Sequence, residues 1–237
     1  MPHNVRAVIF DAGNTLLRMD YATIAAHLAG RGRSVTPAQV EEAELRARVR
    51  LDPHLVRRAA STESRDTIGR YLRYLLEHLA ITDEGEIEAI ARWRRGYNLP
   101  VGLWTQADPE ALAALRAVRE AGLVAGVISN SNGSVHSMLE ALGLTDHLQF
   151  VIDSALVGVE KPDPRIFELG LRAAGVSAGE AVYVGDLYSV DVLGARGAGL
   201  EAILLDPLGL WGSRACRTAT GLGHAVRLAL AQAGRVT

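Results

Sequence analysis

The chain has 237 residues and a mass of 25.3 kDa, enough for one large α/β domain or a core carrying a smaller inserted domain. Its 49% hydrophobic and 22% charged residues exclude a disordered or fibrous chain. A formal net charge of -2 without a run of like charges argues against nucleic-acid or anionic-lipid partners and favours small-molecule chemistry.

The first element read along the chain is 5–10 (VRAVIF), a short apolar, β-branched run without alternation. That pattern suits a strand buried on both faces of a parallel sheet, with Asp11 at its carboxyl end. The start, MPHNVRAVIFDAG, lacks the long apolar region and cleavage site of a signal peptide. No apolar stretch reaches the ~18 residues of a membrane span. The lone Cys216 cannot form an intramolecular disulfide, so a cytoplasmic protein is expected.

Residues 21–97 read as helices: ATIAAHLAG, PAQVEEAELRARVR, DTIGRYLRYLLEHLA and EIEAIARWRRGY carry apolar residues at three- and four-residue spacing. Gly30, Pro37 and 82-TDEGE-86 punctuate them. From about 109 the pattern alternates: helix 109–121, strand 124–129, helix 133–142 and an apolar segment at 150–152. Helix 163–174, strand 181–185, helix 189–198 and strand 201–205 follow. Alternation of this kind implies parallel βαβ units. The expected architecture is α/β: a doubly wound, Rossmann-like parallel sheet core at 1–17 and 103–237, with an inserted all-helical cap domain at 18–102.

In open parallel sheets ligands bind outside the carboxyl ends of the strands. Four such places carry polar residues: 11-DAGNTL-16, 129-SNSNG-133, Lys161 within 160-EKPDP-164, and 185-GDLYSVD-191. Of the 25 basic residues only Lys161 is lysine, so chemistry needing a side-chain amine has one candidate. Each residue alone has a plain reading: Asp11 ends a strand, Ser129 and Asn132 cap a helix, Lys161 is a surface charge. Together, in this order and spacing, the four resemble the motifs of the haloacid dehalogenase superfamily, and the long insertion resembles the helical C1-type cap of its subfamily I.

The resemblance implies that Asp11 is a nucleophile and magnesium ligand, joined by the Gly13 carbonyl and Asp186. It implies that Lys161 is the cationic partner, that Asp191 holds this lysine or a metal-bound water, and that Ser129 is a catalytic phosphoryl contact. Such a carboxylate must stay ionised and face an electrophile whose negative charge is offset. Magnesium needs only one or two carboxylates plus substrate phosphate. Ser129, the backbone N–H of Asn130 and the following helix start suit a phosphoryl oxygen, with Asn14 and Thr15 as further donors. Specificity would lie with the cap, near Arg18, Asp20, Tyr21 and Trp104.

One position departs from the pattern. Phosphatases of the superfamily usually carry a second aspartate two residues after the nucleophile, as general acid and base; here it is Gly13. A general acid–base group is worth roughly 10²–10⁴-fold in rate. Three readings follow. The chain is a magnesium-dependent phosphohydrolase acting on a small phosphorylated metabolite through an aspartyl-phosphate, either on esters whose leaving group needs little protonation or with Asp20, Tyr21 or a cap residue as acid. Or it resembles the metal-free 2-haloacid dehalogenases, with Arg31 and Arg33 as anion contacts, although Asp186 stands where those enzymes have asparagine. Or it is a binding or regulatory protein on the same fold. A Schiff-base mechanism like that of phosphonoacetaldehyde hydrolases fails for want of a cap lysine. Assembly is open between monomer and homodimer, since Tyr71, Leu72, Leu75 and Leu79 suit either intradomain core or a dimer face.

Overall fold

A computed structural model describes residues 5–58 and 61–234. In chain order the elements are β1 (Ala7–Phe10), β2 (Leu17–Arg18), α1 (Tyr21–Ala29), α2 (Pro37–Arg58), α3 (Arg65–His78), α4 (Glu84–Gly96) and β3 (Gln106–Ala107). Then come α5 (Ala111–Glu120), β4 (Val124–Ser129), α6 (Val135–Ala141), β5 (Phe150–Asp153), α7 (Ser154–Val157), α8 (Pro164–Ala174) and β6 (Ala181–Gly185). The last are α9 (Leu193–Gly197), β7 (Glu201–Leu205), β8 (Arg217–Ala219) and α10 (Leu222–Gln232).

The chain divides into two compact units, Met1–Arg18 with Gln106–Thr237, and Met19–Thr105. The first is an α/β unit built on a six-stranded sheet in the order β5-β4-β1-β6-β7-β8. Its ladders are all parallel. Strand β1 is central, pairing with β4 on one side and β6 on the other. Its four side chains are buried because helices cover both sheet faces. The expected doubly wound, Rossmann-like fold is therefore what forms. A short antiparallel ladder, Leu17 to Ala107 and Arg18 to Gln106, joins the points where this unit is left and re-entered. Arg18 Nε reinforces it with Asp108 Oδ2 at 3.0 Å.

The second unit, four helices among its described residues, has a core of Leu28, Val40, Ala43, Leu75, Leu76, Ile81, Ile87 and Ile90 among others. Tyr71, Leu72 and Leu79 pack against that core, and Leu75 belongs to it, so this face is intradomain packing. Three of its helices start at a side-chain cap: Asp20, Ser64 and Asp83 each accept from the backbone N–H three positions on. Helix α2 runs beyond the 37–50 segment read from periodicity, through Pro53. Burial of Leu51 and Leu55 offsets the lost backbone bond there.

Strands 124–129, 181–185 and 201–205 have the bounds expected. The helix expected at 189–198 is instead a π-helical turn at Tyr188–Val192 leading into α9. Beyond Leu205, where the alternation read from the sequence ends, β8 and α10 complete the sheet edge and one covering layer. Among the described residues, no helix is long and apolar enough to cross a membrane.

Candidate active site

Because β4, β1 and β6 are neighbours, their carboxyl ends place Ser129, Asp11 and Asp186 side by side along one edge of the sheet. Asp11 continues the parallel pairing, its N–H donating to the Val184 carbonyl at 2.8 Å. After it the chain turns tightly, the N–H groups of Thr15, Leu16 and Leu17 all converging on the Ala12 carbonyl. Asn14 takes the left-handed backbone, φ 54°, that asparagine tolerates. Thr15 is buried, and its hydroxyl has no hydrogen-bond partner among the described residues.

Lys161 comes from the loop between α7 and α8 and is 4% exposed. The Asn130 side chain clasps its backbone: Lys161 N–H donates to Asn130 Oδ1 at 2.7 Å, and Asn130 Nδ2 donates to the Lys161 carbonyl at 2.9 Å. Its ammonium donates to Asp11 Oδ1 at 2.6 Å, Asp191 Oδ1 at 2.7 Å and the Tyr183 hydroxyl at 2.9 Å. These are short, charge-assisted contacts.

Asp191 lies in the π-helical turn, whose extra residue per turn is a recurrent device at functional sites. Its Oδ2 accepts from the N–H of Asp186 at 3.1 Å and of Leu187 at 2.9 Å. That closure requires glycine at 185: a Cβ there would stand 2.4 Å from Asp191 Cγ. Asp153, at the end of β5, accepts from Gly133, Val135 and Ala155 backbone N–H groups and so anchors the loop after Ser129.

Asp11, Asp186 and Asp191 each present a carboxylate oxygen within 4.8 Å of the others, all three buried. Burial pushes the Asp11 carboxyl up to about 6, Lys161 opposing the shift and Asp191 adding to it. Burial also works against the Lys161 charge, but Asp11 and Asp191 outweigh it and hold the ammonium well above its usual range.

The structure thus brings Asp11, Lys161, Asp186 and Asp191 together, with Ser129 and Asn130 on the adjacent strand end. Ser129 is buried, its hydroxyl donating to the Asn130 carbonyl at 3.3 Å. The Asn130 side chain is spent on Lys161. Asp20 is engaged within its own helix, accepting from Thr23 N–H and hydroxyl, and Tyr21 donates to Glu44 at 3.2 Å. Arg33 forms a two-bond pair with Glu86. The sequence reading missed Tyr183; the available signal was a phenol inside an otherwise apolar strand, whose hydroxyl must find a polar partner.

Residues 5–199 match the family model of haloacid dehalogenase-like hydrolases. The human haloacid dehalogenase-like hydrolase domain-containing protein 3 is 31% identical over 208 residues, 85% of this chain and 82% of that one. The chain therefore belongs to the haloacid dehalogenase-like hydrolase family. Several curated relatives are matched over less than half of their own length. One is a phosphoserine phosphatase of Thermus thermophilus, 40% identical over 120 residues, 50% of this chain and 45% of that protein. Among solved structures, the 2-haloacid dehalogenase of Pseudomonas syringae is 28% identical, with a TM-score of 0.58 over 96% of this chain and 99% of that one.

Proposed function

We propose that this hydrolase is a magnesium-dependent phosphohydrolase acting on a small phosphorylated metabolite, with Asp11 as nucleophile. The observation that carries the reading is a cluster of carboxylates: those of Asp11, Asp186 and Asp191 converge within 4.8 Å, all buried. Like charges this close repel one another, and a hard divalent cation with oxygen ligands fits them. Asp11, Asp186 and the Gly13 carbonyl would hold the ion, and among the described residues no cysteine or histidine stands in the cluster to favour a softer metal. When bound, magnesium offsets the charge of the transferring phosphoryl group.

The chain's own residues do the rest. Asp11 attacks phosphorus as the bond to the leaving oxygen breaks, giving an aspartyl-phosphate and an alcohol that takes its proton from solvent. Water then cleaves the acyl phosphate, releasing inorganic phosphate and restoring the Asp11 carboxylate. Lys161 holds Asp11 Oδ1, so the nucleophile enters in a fixed orientation. Ser129, the Asn130 N–H, Asn14 and Thr15 bind phosphoryl oxygens, and the Thr15 hydroxyl, buried without a partner among the described residues, supports this. Residues 19–105 act as the specificity cap. The phosphatase names of relatives such as the Thermus phosphoserine phosphatase favour this substrate class.

Gly13 and the Pseudomonas dehalogenase neighbour favour a second reading, halide displacement from a 2-haloacid without metal. Asp186 opposes it, since a further carboxylate in the cluster repels an anionic substrate. The two separate in one experiment. Hydrolysis of para-nitrophenyl phosphate that requires magnesium, stops with chelator and is lost in Asp11→Asn supports the phosphatase. Halide release from 2-chloropropionate in the presence of chelator supports the dehalogenase, and neither activity would leave a binding protein.

A further inference from the structure

An ammonium has three N–H donors, and all three of Lys161's are committed: to Asp11, Asp191 and the hydroxyl of Tyr183. The first two acceptors are already part of the proposed chemistry; the third is not. Tyr183 lies on β6, wholly buried, its ring edge-on to Phe167 with centroids 5.1 Å apart. Its one hydroxyl proton is spent on the Ile128 carbonyl of β4 at 2.9 Å. Toward Lys161 it can therefore only accept, which is the polarity an ammonium needs.

A side-chain ammonium is a rotor on a flexible stem. With two acceptors its orientation is loosely set and one N–H is left unsatisfied in a buried site, a costly arrangement. With three it is fixed. The third acceptor here is itself anchored to β4, one residue before Ser129, so it links the ends of β4 and β6 to the lysine that faces Asp11.

We propose that Tyr183 is a positioning residue for this reaction: its hydroxyl fixes the Lys161 ammonium, and through it the orientation of the Asp11 carboxylate. The catalytic half of the proposal rests on the hydrolase reading of Asp11 and Lys161; the positioning half does not.

Tyr183→Phe removes one oxygen and keeps the ring that packs on Phe167. Lys161 is the only lysine in the chain, so isotopic labelling of lysine nitrogen gives a single side-chain ammonium signal in nuclear magnetic resonance. The expected result is a shifted ammonium signal whose hydrogens exchange at least about tenfold faster than in the wild type. With it, kcat for para-nitrophenyl phosphate should fall about 10- to 100-fold with KM within about twofold. An unchanged signal overturns the proposal even if kcat falls, because the effect then bypasses Lys161. A changed signal with unchanged kcat overturns the catalytic half. If the wild type itself does not turn over the phosphate, the hydrolase reading fails, while the ammonium signal still decides the positioning claim.

Discussion

The geometry around Asp191 depends on an absent methyl group. Gly185→Ala would place a Cβ 2.4 Å from Asp191 Cγ, so the carboxylate must leave the Asp186 and Leu187 N–H groups or release Lys161. Overpacking of this kind costs about 1–3 kcal/mol. We predict that loss in a urea titration, together with a fall in kcat of at least about tenfold. The missing acid at residue 13 makes a second prediction. With no carboxyl to protonate the leaving oxygen, rates should fall steeply as the leaving group becomes more basic. Gly13→Asp should flatten that dependence, raising kcat/KM for alkyl phosphates by up to about 10²-fold. A wild-type rate insensitive to the leaving group would show that another acid acts. Asp11, Lys161, Asp186 and Asp191 could be singled out in the sequence because the segments that carry them lie just beyond strands and together resemble the family's motifs. Tyr183 left only the weak signal of a phenol within an apolar strand, and the Asn130 clasp left none, being a contact between residues 31 positions apart along the chain.

At the scale of elements, helix α2 carries a buried Arg48–Glu44 pair, with the Tyr21 and Tyr71 hydroxyls donating to the same carboxylate. Arg48→Met leaves a carboxylate buried without its counter-charge, and such breaks cost about 3–5 kcal/mol. That loss should appear in chemical denaturation. Just before β6, Glu180 accepts from the Ser177 N–H and hydroxyl and from Arg6, which hold its carboxyl down at about 2 from an ordinary 4.5. A depressed acid stabilises the fold above its unfolded pKa and loses that contribution as pH falls toward its folded pKa. The gap in Tm between the wild type and Glu180→Gln should therefore narrow from pH 5 to pH 3; a gap that stays constant would show that the ionised carboxylate is not what stabilises the turn. Strands β4, β6 and β7 were legible to the residue because apolar side chains dominate them, whereas β1 begins at Ala7, two residues later than the apolar run, and β5 extends one residue further, to Asp153. The π-helical turn was not legible, since periodicity does not separate it from an α-helical one, and β8 spans only three residues, too few to show a pattern.

Across the whole molecule, the sheet order explains why the chemistry gathers where it does. The chain runs from β1 to β4 and β5 on one side and then crosses over to β6, β7 and β8 on the other, and ligands of open α/β sheets bind at such switch points beyond the carboxyl ends. The helical unit, inserted between β1 and β4, leaves this crossing intact because the β2–β3 ladder joins its points of departure and return. Formation of a covalent bond at Asp11 is the centre of the account. Protein mixed with para-nitrophenyl phosphate and magnesium, quenched, reduced with borohydride and digested should yield homoserine at position 11, the reduction product of an aspartyl-phosphate, and none when chelator replaces magnesium. Phosphate release with Asp11 unmodified throughout would contradict it.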